Sequence, residues 1–427
     1  MHEAYRTSND ILAMSQRVTV SVPKRLRNVL CLDDFEAHAA RLLPRAIYTY
    51  LCEAVERRHS AADNRASIKD HLLLPRVLQD VSHRDSSVEL FGERYAQPFG
   101  IAPMGLAALS AFRGDVILAQ SAAEAGIVSV MSGASLIPME TVANAAPRTW
   151  FQAYLPVDSA RVDRYLARVE EAGFRVLVLT VDMPVAASPE NMRRGGFSAP
   201  LEWSPTLIAD GMTHPRWLLG TLLRTLAAQG MPCFENSFAE PRCSPEGNDQ
   251  VFPRIPLVSR KTRLRFAARD ALTWRDVHHV RSRWSGPLVV KGILGPQDAV
   301  LAREGGADAI VLSNHGGRRL DSAVSALRQL ETVVDALDGF PVLIDGGFRR
   351  GTDVLKALCL GARMVLVGRP FNYALATAGA CGVRHAIDLL ATEVDRDLAL
   401  LGVGSCTGLT RERIVRRFTC GSGGMTS

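Results

Sequence analysis

The chain has 427 residues, 47% of them apolar and 22% charged, which is enough hydrophobic mass for a sizeable core and excludes global disorder or a fibrous repeat. The formal net charge of +6 is modest for this length, and no clustered basic motif marks a nucleic-acid surface. The eight cysteines are scattered without a C-x-x-C pair, which argues against a zinc site or a secreted disulfide framework.

Residues 1–30 are polar and basic and read as a flexible extension without a secretory signal, so a cytoplasmic chain is expected. Asp33 and Asp34 then precede Phe35, Ala39, Leu42 and Leu43, followed beyond Pro44 by Ile47, Tyr50 and Leu51 at helical spacing. Acidic caps before periodic apolar faces predict two consecutive helices. From residue 98 the rhythm changes to eight short apolar runs: PFGIAPM (98–104), GIVSVMS (126–132), TWFQAYL (149–155), VLVLTVD (176–182), PLVVKGI (287–293), AIVLSNH (309–315), PVLIDGG (341–347) and MVLVGRP (364–370). They are rich in Val, Ile and Leu without strict alternation, as strands buried on both faces should be, and helical patterns such as VDRYLARVEEAG and GTDVLKALCLGA separate them.

Eight strand–helix units predict a (β/α)8 TIM barrel with an N-terminal helical segment. The spacing breaks only between the fourth and fifth runs, so a long insertion after strand 4 is expected, with a lid at about 198–272. The insertion carries Trp203 and Trp217 near an apolar helical run with Arg216 and Arg224, a pattern that suits either a lid over the barrel or docking on a membrane surface. The following CSPEGNDQVFP is turn-rich and expected to be mobile. Residues 373–400 read as helices, residues 31–410 as one domain, and 411–427 as a C-terminal tail that looks frayed from 418.

Catalytic groups of such a barrel sit at the C-terminal ends of its strands. Those positions hold Gln152 and Tyr154, Thr180 and Asp182, Lys291, Ser313-Asn314-His315 with Arg318, Asp345 with Gly346 and Gly347, Arg349, and Gly368-Arg369. Any one of them has a structural reading as a cap, turn residue or ion pair; their convergence on one face is what points to a site. The last two loops, DGGFRRG and VGRPF, combine glycine, which lets backbone N–H groups approach an anion, with arginine, which clamps it. No G-x-G-x-x-G opens a helix after the first strand, so a phosphorylated cofactor such as FMN fits better than a dinucleotide.

In order, IAPMG, FQAY, LTVD, VVKGI, SNHGGRRLD, DGGFRRGTDVLKALCLGA and VGRP closely resemble the FMN-dependent α-hydroxy acid oxidase and dehydrogenase family, over about residues 32–410. The insertion's HPRW resembles a long loop of the family's membrane-associated branch. The resemblance implies an FMN enzyme that oxidises the carbinol of a 2-hydroxy acid or a related derivative to the keto product. It implies His315 as base, paired with Asp182. Arg318 would clamp the substrate carboxylate, Tyr50 and Tyr154 would donate hydrogen bonds to carboxylate and hydroxyl, and Lys291 would stabilise negative charge on reduced flavin. Gln152, Thr180 and Ser132 match flavin-ring contacts, Pro103, Met104 and Gly105 the backbone beside the ring, and Ser313, Asp345, Gly347, Arg349, Gly368 and Arg369 the ribityl and phosphate grip. Relatives further suggest a homo-oligomer, a homotetramer, whose electron acceptor is oxygen, a quinone or a carrier.

The stretch TVDMPVAASPENMRRGGF departs from the family. Pro189 falls where the family carries a second carboxylate-binding Arg, and Gly195 where it carries Asn. One anion contact worth about 1.5–3 kcal/mol is thereby lost unless Arg193 or Arg194 substitutes. Three readings follow: a 2-hydroxy acid held by other cations; a substrate without a free carboxylate, such as an ester, amide, carrier-bound acyl group or alcohol; or lost turnover in a flavin-binding scaffold. A redox-neutral flavoenzyme is a further alternative. Gly105, where oxidases of the family often carry Ala, hints at a dehydrogenase or monooxygenase.

Overall fold

The computed structural model describes residues 23–198, 200–202, 204–236, 242–244, 247–251, 254–261 and 269–417. Each of the eight apolar runs forms one strand: β1 (Phe99–Ile101), β2 (Val128–Ser132), β3 (Trp150–Ala153), β4 (Leu177–Thr180), β5 (Leu288–Ile293), β6 (Ala309–Leu312), β7 (Val342–Asp345) and β8 (Met364–Val367). All neighbours pair in parallel, and the pairing of Val365 with Phe99 closes β8 onto β1, so the sheet is a closed eight-stranded barrel as expected.

The runs lack a polar alternation because each strand feeds two cores. Val128, Val130, Val178, Val289, Val311, Leu343 and Leu366 fill the barrel interior. Their neighbours Met131, Leu177, Leu179, Val290, Ile310, Ile344 and Val365 point outward into the layer shared with the helices. An antiparallel hairpin, Val88–Leu90 with Glu93–Tyr95, plugs the N-terminal end. There Trp150 Nε1 donates to Tyr95 Oη at 3.3 Å. Function is thereby confined to the opposite, C-terminal end.

Three helices precede the barrel: α1 (Asp34–Leu42), α2 (Arg45–Cys52) and α3 (His59–Lys69). The break at Pro44 falls where expected, since the fixed ring makes Pro an entry residue for the second helix. The acidic caps act differently from the expectation. Asp33 makes no side-chain cap bond, while Asp34 Oδ2 accepts the backbone N–H groups of Leu30 and Cys31 and folds the preceding turn.

Two stretches differ from the expectation for the ends of the chain. Residues 23–30, placed in a flexible extension, include a 3-10 turn at Lys24–Leu26, and Leu26 and Val29 are buried in the outer core. Ile414–Arg416, placed in the C-terminal tail beyond the domain, pairs antiparallel with His71–Leu73. Hydrophobic spacing in the isolated segments could not show either contact, because both partners are distant in the chain. Residues 1–22 and 418–427 lie outside the described residues.

The insertion follows β4. Its helices Pro205–Met212, Pro215–Trp217 and Arg224–Gln229, joined by a π-helical turn at Leu218–Leu223, lie against the barrel's first loop. Trp217 Nε1 donates to the Leu109 carbonyl at 2.7 Å, and the Arg224 guanidinium stacks 4.3 Å from the Phe112 ring. Trp217 therefore anchors the insertion, whereas Trp203 is outside the described residues. Within CSPEGNDQVFP, expected to be mobile, Gly247–Val251 pairs with Arg242–Ser244 as a hairpin.

Gly195 shows why the insertion's first segment departs from the family. A Cβ there would stand 2.2 Å from Thr49 Cγ2 and Oγ1 on α2, so the helix Glu190–Arg194 approaches α2 at a distance only glycine allows. Gly195→Asn is expected to destabilise the fold by about 1–3 kcal/mol through overpacking. Denaturant titration reads this directly; an unshifted midpoint would contradict the close approach.

Candidate active site

The C-terminal strand ends open into a cleft of about 1030 Å³. Register sets its floor: Ser132 pairs with Gln152 across β2 and β3, and Thr180 with Lys291 across β4 and β5, which brings four polar side chains to one level. Ser132 Oγ donates to Gln152 Oε1 at 3.0 Å, and Gln152 Nε2 donates to the Ala153 carbonyl at 2.9 Å. Lys291 is buried, with Nζ 2.8 Å from Asp345 Oδ2 and donating to Ser313 Oγ at 2.7 Å. Burial disfavours its charge, but the carboxylates of Asp345 and Asp182 outweigh that and hold the ammonium above its ordinary range.

His315 sits on the loop after β6 with φ 55°, a left-handed conformation that costs energy for a side-chain-bearing residue and tends to mark functional sites. Two contacts hold the loop. The His315 backbone N–H donates to Ser313 Oγ at 2.9 Å, and the amides of Asn314 and Asn64 on α3 exchange reciprocal hydrogen bonds of 2.9 Å. The imidazole Nδ1 lies 3.0 Å from both carboxylate oxygens of Asp182. Asp182 is seated by a bulge in β5 at Gly292, where φ is 107° and a Cβ would come 2.6 Å from Asp182 Cβ.

On the far side of the ring, Arg319 Nη2 lies 3.1 Å from His315 Nε2. An arginine can only donate, so Nε2 accepts there and Nδ1 carries the ring proton toward Asp182. Burial, then the Arg319 charge, bring the His315 pKa down to about 4 against the pull of Asp182, so the imidazole is neutral near pH 7. Burial pushes Asp182 upward, but His315, Lys291 and Arg319 bring it to about 2.

Guanidinium groups gather along the other wall. Arg318 Nη1 donates to the Leu51 and Glu53 carbonyls at 3.2 and 3.0 Å, with its Cζ 5.1 Å from the Tyr50 ring. Arg369 donates to the same two carbonyls and, at 2.9 Å, to that of Gly316. Burial and then the Arg318 and Arg349 charges depress Arg369 to about 10. Arg349 Nε is 3.5 Å from Asp33 Oδ1, and the loop after β7 that carries Arg349 turns through Gly347 at φ 90°, where a Cβ would meet the Asn64 carbonyl at 2.9 Å. Arg269, buried, stacks 4.7 Å from the Tyr154 ring.

Of the expected site residues, Tyr50, Pro103, Met104, Gly105, Tyr154, Lys291, His315, Arg318, Asp345, Gly347, Arg349, Gly368 and Arg369 line the cleft. Ser132, Gln152 and Thr180 form the floor beneath them, and Asp182 and Ser313 stand behind His315 and Lys291, which they contact. Pro189 lines the cleft as the residue preceding the helix Glu190–Arg194 and brings no charge. The two proposed substitutes part ways: Arg193 lines the cleft at its exposed rim, and Arg194 is turned away into an ion pair with Glu190 at 2.6 Å. A Cβ on Gly105 would stand 3.0 Å from Tyr50 Oη and 3.2 Å from Ala134 Cβ, so this glycine leaves room in a tight corner.

Sequence reasoning overlooked Arg319, Arg269 and Asn64. Arg319 was visible as the second arginine of SNHGGRRLD; the other two had no local signal, because their partners come from distant loops.

The strand ends suit a flavin mononucleotide. Thr180 Oγ1 and Asp345 Oδ1 are buried without hydrogen-bond partners, a costly state that a ligand's polar atoms would relieve. Arg349 and Arg369, beside the glycines at 346, 347 and 368, form an anion cradle after β7 and β8. Among the described residues no group of His, Cys, Asp and Glu is arranged to hold a metal.

Comparison with known proteins agrees. Residues 39–416 match the model of a family described as FMN-dependent dehydrogenase. An L-lactate dehydrogenase of Ectopseudomonas mendocina (strain ymp) is 37% identical over 385 residues, covering 90% of this chain and 98% of that one. One from Stenotrophomonas maltophilia (strain R551-3) is 36% identical, covering 90% and 97%. Among solved structures, the monotopic membrane protein (S)-mandelate dehydrogenase superposes with a TM-score of 0.82 at 33% identity, over 92% of this chain and 100% of that one. A mandelate oxidase variant gives 0.73 at 32% identity, over 91% and 98%.

Proposed function

The chain belongs to the FMN-dependent dehydrogenase family, as an FMN-dependent oxidoreductase of 2-hydroxy acids, and from that premise we propose how its own residues divide the work. The observation that carries the reading is the His315–Asp182 pair at 3.0 Å, a neutral imidazole oriented by an ionised carboxylate at the mouth of the flavin-sized cleft. Nε2 of His315 takes the proton from the substrate, and Asp182 stabilises the imidazolium that forms. The substrate loses two electrons and two protons and becomes the 2-oxo acid, with one proton retained on His315. Bound FMN would supply the sink for the two electrons and the other proton.

Arg318 and Tyr50 bind the substrate's carboxylate, and Tyr154, braced by Arg269, donates to the hydroxyl. Lys291, Thr180, Gln152 and Ser132 hold the flavin ring, with the Pro103–Gly105 backbone beside it. Ser313, Asp345 and Gly347 hold the ribityl chain and its surroundings, and Arg349, Gly368 and Arg369 the phosphate. Lys291 additionally stabilises negative charge accumulating on the ring.

The test is anaerobic flavin absorbance during addition of glycolate, lactate and mandelate alongside their esters and amides. Bleaching by a free acid is the expected result. Bleaching only by esters or amides would show that Pro189 marks a site without carboxylate recognition, and a flavin that nothing bleaches would overturn the reading.

A membrane contact through the insertion is part of the same proposal. Ile208, Met212 and Leu219 are more than half exposed on its helices and Leu223 slightly less, and a structural relative is a monotopic membrane protein. No helix among the described residues is long and apolar enough to cross a membrane. Contact would therefore be peripheral and would bring the flavin near a membrane-borne electron acceptor such as a quinone. In co-sedimentation with anionic phospholipid vesicles, Met212→Glu with Leu219→Glu is expected to lower the bound fraction at least about tenfold, since each apolar side chain is worth roughly 1.5–3 kcal/mol when buried. Equal binding of variant and wild type would remove the insertion from the contact. Assembly as a homo-oligomer, a homotetramer by resemblance, is read by sedimentation velocity.

A further inference from the structure

We propose that Arg319 is a carboxylate-operated cover on the base: it occupies the Nε2 lone pair of His315 in the free enzyme and leaves it only when a substrate carboxylate takes the guanidinium. This deepens the reading of His315 as the base and rests on it.

The argument begins with the ring. Nδ1 of His315 faces Asp182 at 3.0 Å, so Nε2 carries the ring's one available lone pair. Arg319 Nη2 donates into that lone pair at 3.1 Å. A single in-plane lone pair cannot accept both an arginine N–H and a substrate proton, so the covered His315 is not yet a working base.

Arg319 is also poised to move. It lines the cleft directly after Arg318, its Nε is buried without a hydrogen-bond partner, and it forms no ion pair among the described residues. A guanidinium whose hydrogen-bond partner among the described residues is a neutral nitrogen gains from exchanging it for a carboxylate, which accepts a charge-assisted, bidentate pair. Arg318 is meanwhile held by two backbone carbonyls, Pro189 offers no charge, Arg194 is paired with Glu190 outside the cleft, and Arg193 lines the cleft only with an exposed side chain, away from the buried base. Arg319 thus supplies the second cation from the base's own loop. The groups facing His315 are Asp182 beyond β4, Lys291 on β5 and Arg319 itself, so removing Arg319 leaves the two charges that hold the imidazole in place.

The consequence is selectivity at the chemical step as well as in binding. An ester or amide of the same acid can enter but cannot draw Arg319 away, so its proton meets a masked base.

The test uses FMN-loaded wild type, Arg319→Met and Arg319→Lys. Each is mixed anaerobically with the 2-hydroxy acid that bleaches the wild type and with its methyl ester, and each is titrated with the corresponding 2-oxo acid by flavin absorbance. Arg319→Met is expected to bind the oxo acid about 10–100-fold more weakly, the equivalent of one lost charge-assisted contact. Its acid-over-ester preference in bleaching rate should fall at least about tenfold, with Arg319→Lys in between. The pH at which its bleaching rate reaches half of maximum should move upward, toward that of an ordinary imidazole. An Arg319→Met protein that retains FMN and shows unchanged oxo-acid binding and an unchanged acid-over-ester ratio would overturn the cover. A wild type unbleached by every 2-hydroxy acid would instead overturn the underlying assignment of the base.

Discussion

Replacing His315 by alanine slows anaerobic bleaching of the flavin by a 2-hydroxy acid about 10²–10⁴-fold, the range lost with a positioned general base, while FMN stays bound. The two effects separate because the proposed grip on the cofactor uses other residues that line the cleft, Lys291 and Asp345 on the floor and Arg349 and Arg369 in the last two loops. The wild type carries a matching pH signature. As the proposed base, His315 would work only when neutral, and burial with the Arg319 charge lowers its pKa from 6.5 to about 4. The bleaching rate of the free enzyme should therefore rise as pH increases through about 4 and stay level toward neutrality. The same depression links to stability: between pH 6.5 and about 4 the unfolded imidazole takes up a proton that the folded one refuses, so this contribution is full above pH 6.5 and is lost as pH falls toward 4. Stopped-flow absorbance from pH 3.5 to 8 reads the rate profile. A His315→Ala protein that bleaches at the wild-type rate would remove His315 from the chemistry.

Lys291→Met is expected to damage both fold and cofactor. Its ammonium is buried 2.8 Å from Asp345 Oδ2 and 2.7 Å from Ser313 Oγ, so methionine leaves a buried carboxylate without its cation. Breaking such a pair by removing one partner costs about 3–5 kcal/mol, against about 1 kcal/mol or less for a surface pair. The lysine is also the fixed positive charge at the level where the flavin ring would lie, and its loss disfavours the reduced, negatively charged cofactor. Thermal unfolding should shift to clearly lower temperature, FMN content should fall, and the midpoint potential of the remaining flavin should become more negative. Lys291→Arg keeps a charge but not its compact shape, and should recover stability better than cofactor binding. An unchanged melting temperature and potential in Lys291→Met would mean that Asp345 is satisfied by other means and that the lysine does not face the flavin.

The barrel was legible in the sequence because its strands are short, continuous apolar runs, and burial on both faces leaves that pattern wherever the run lies. Strand-end chemistry was legible for a related reason. A polar residue that closes such a run, such as Thr180, Lys291 or Asp345, must emerge at the C-terminal mouth, and the glycines with arginines after β7 and β8 have no comparable use in a plain turn. Pro189 could be recognised as a missing charge from the alignment of one ungapped stretch with its family's pattern.

Tertiary structure decided what depends on the direction of long side chains and on contacts between distant segments. Arg193 and Arg194 are equivalent in sequence as replacements for the missing cation, yet one stands at the rim and the other is committed to Glu190. Arg319, one residue beyond the expected clamp, reaches His315 four positions back only because the loop after β6 turns through a left-handed residue. The docking of residues 23–30 and the pairing of Ile414–Arg416 with His71–Leu73 likewise join segments whose own periodicity is too weak to register. Local patterning records how each residue meets the core, so the sequence alone established the barrel and the mouth where its chemistry gathers. Which cation meets which anion or base across that mouth depends on distances between loops far apart in the chain, and only the folded molecule determines them.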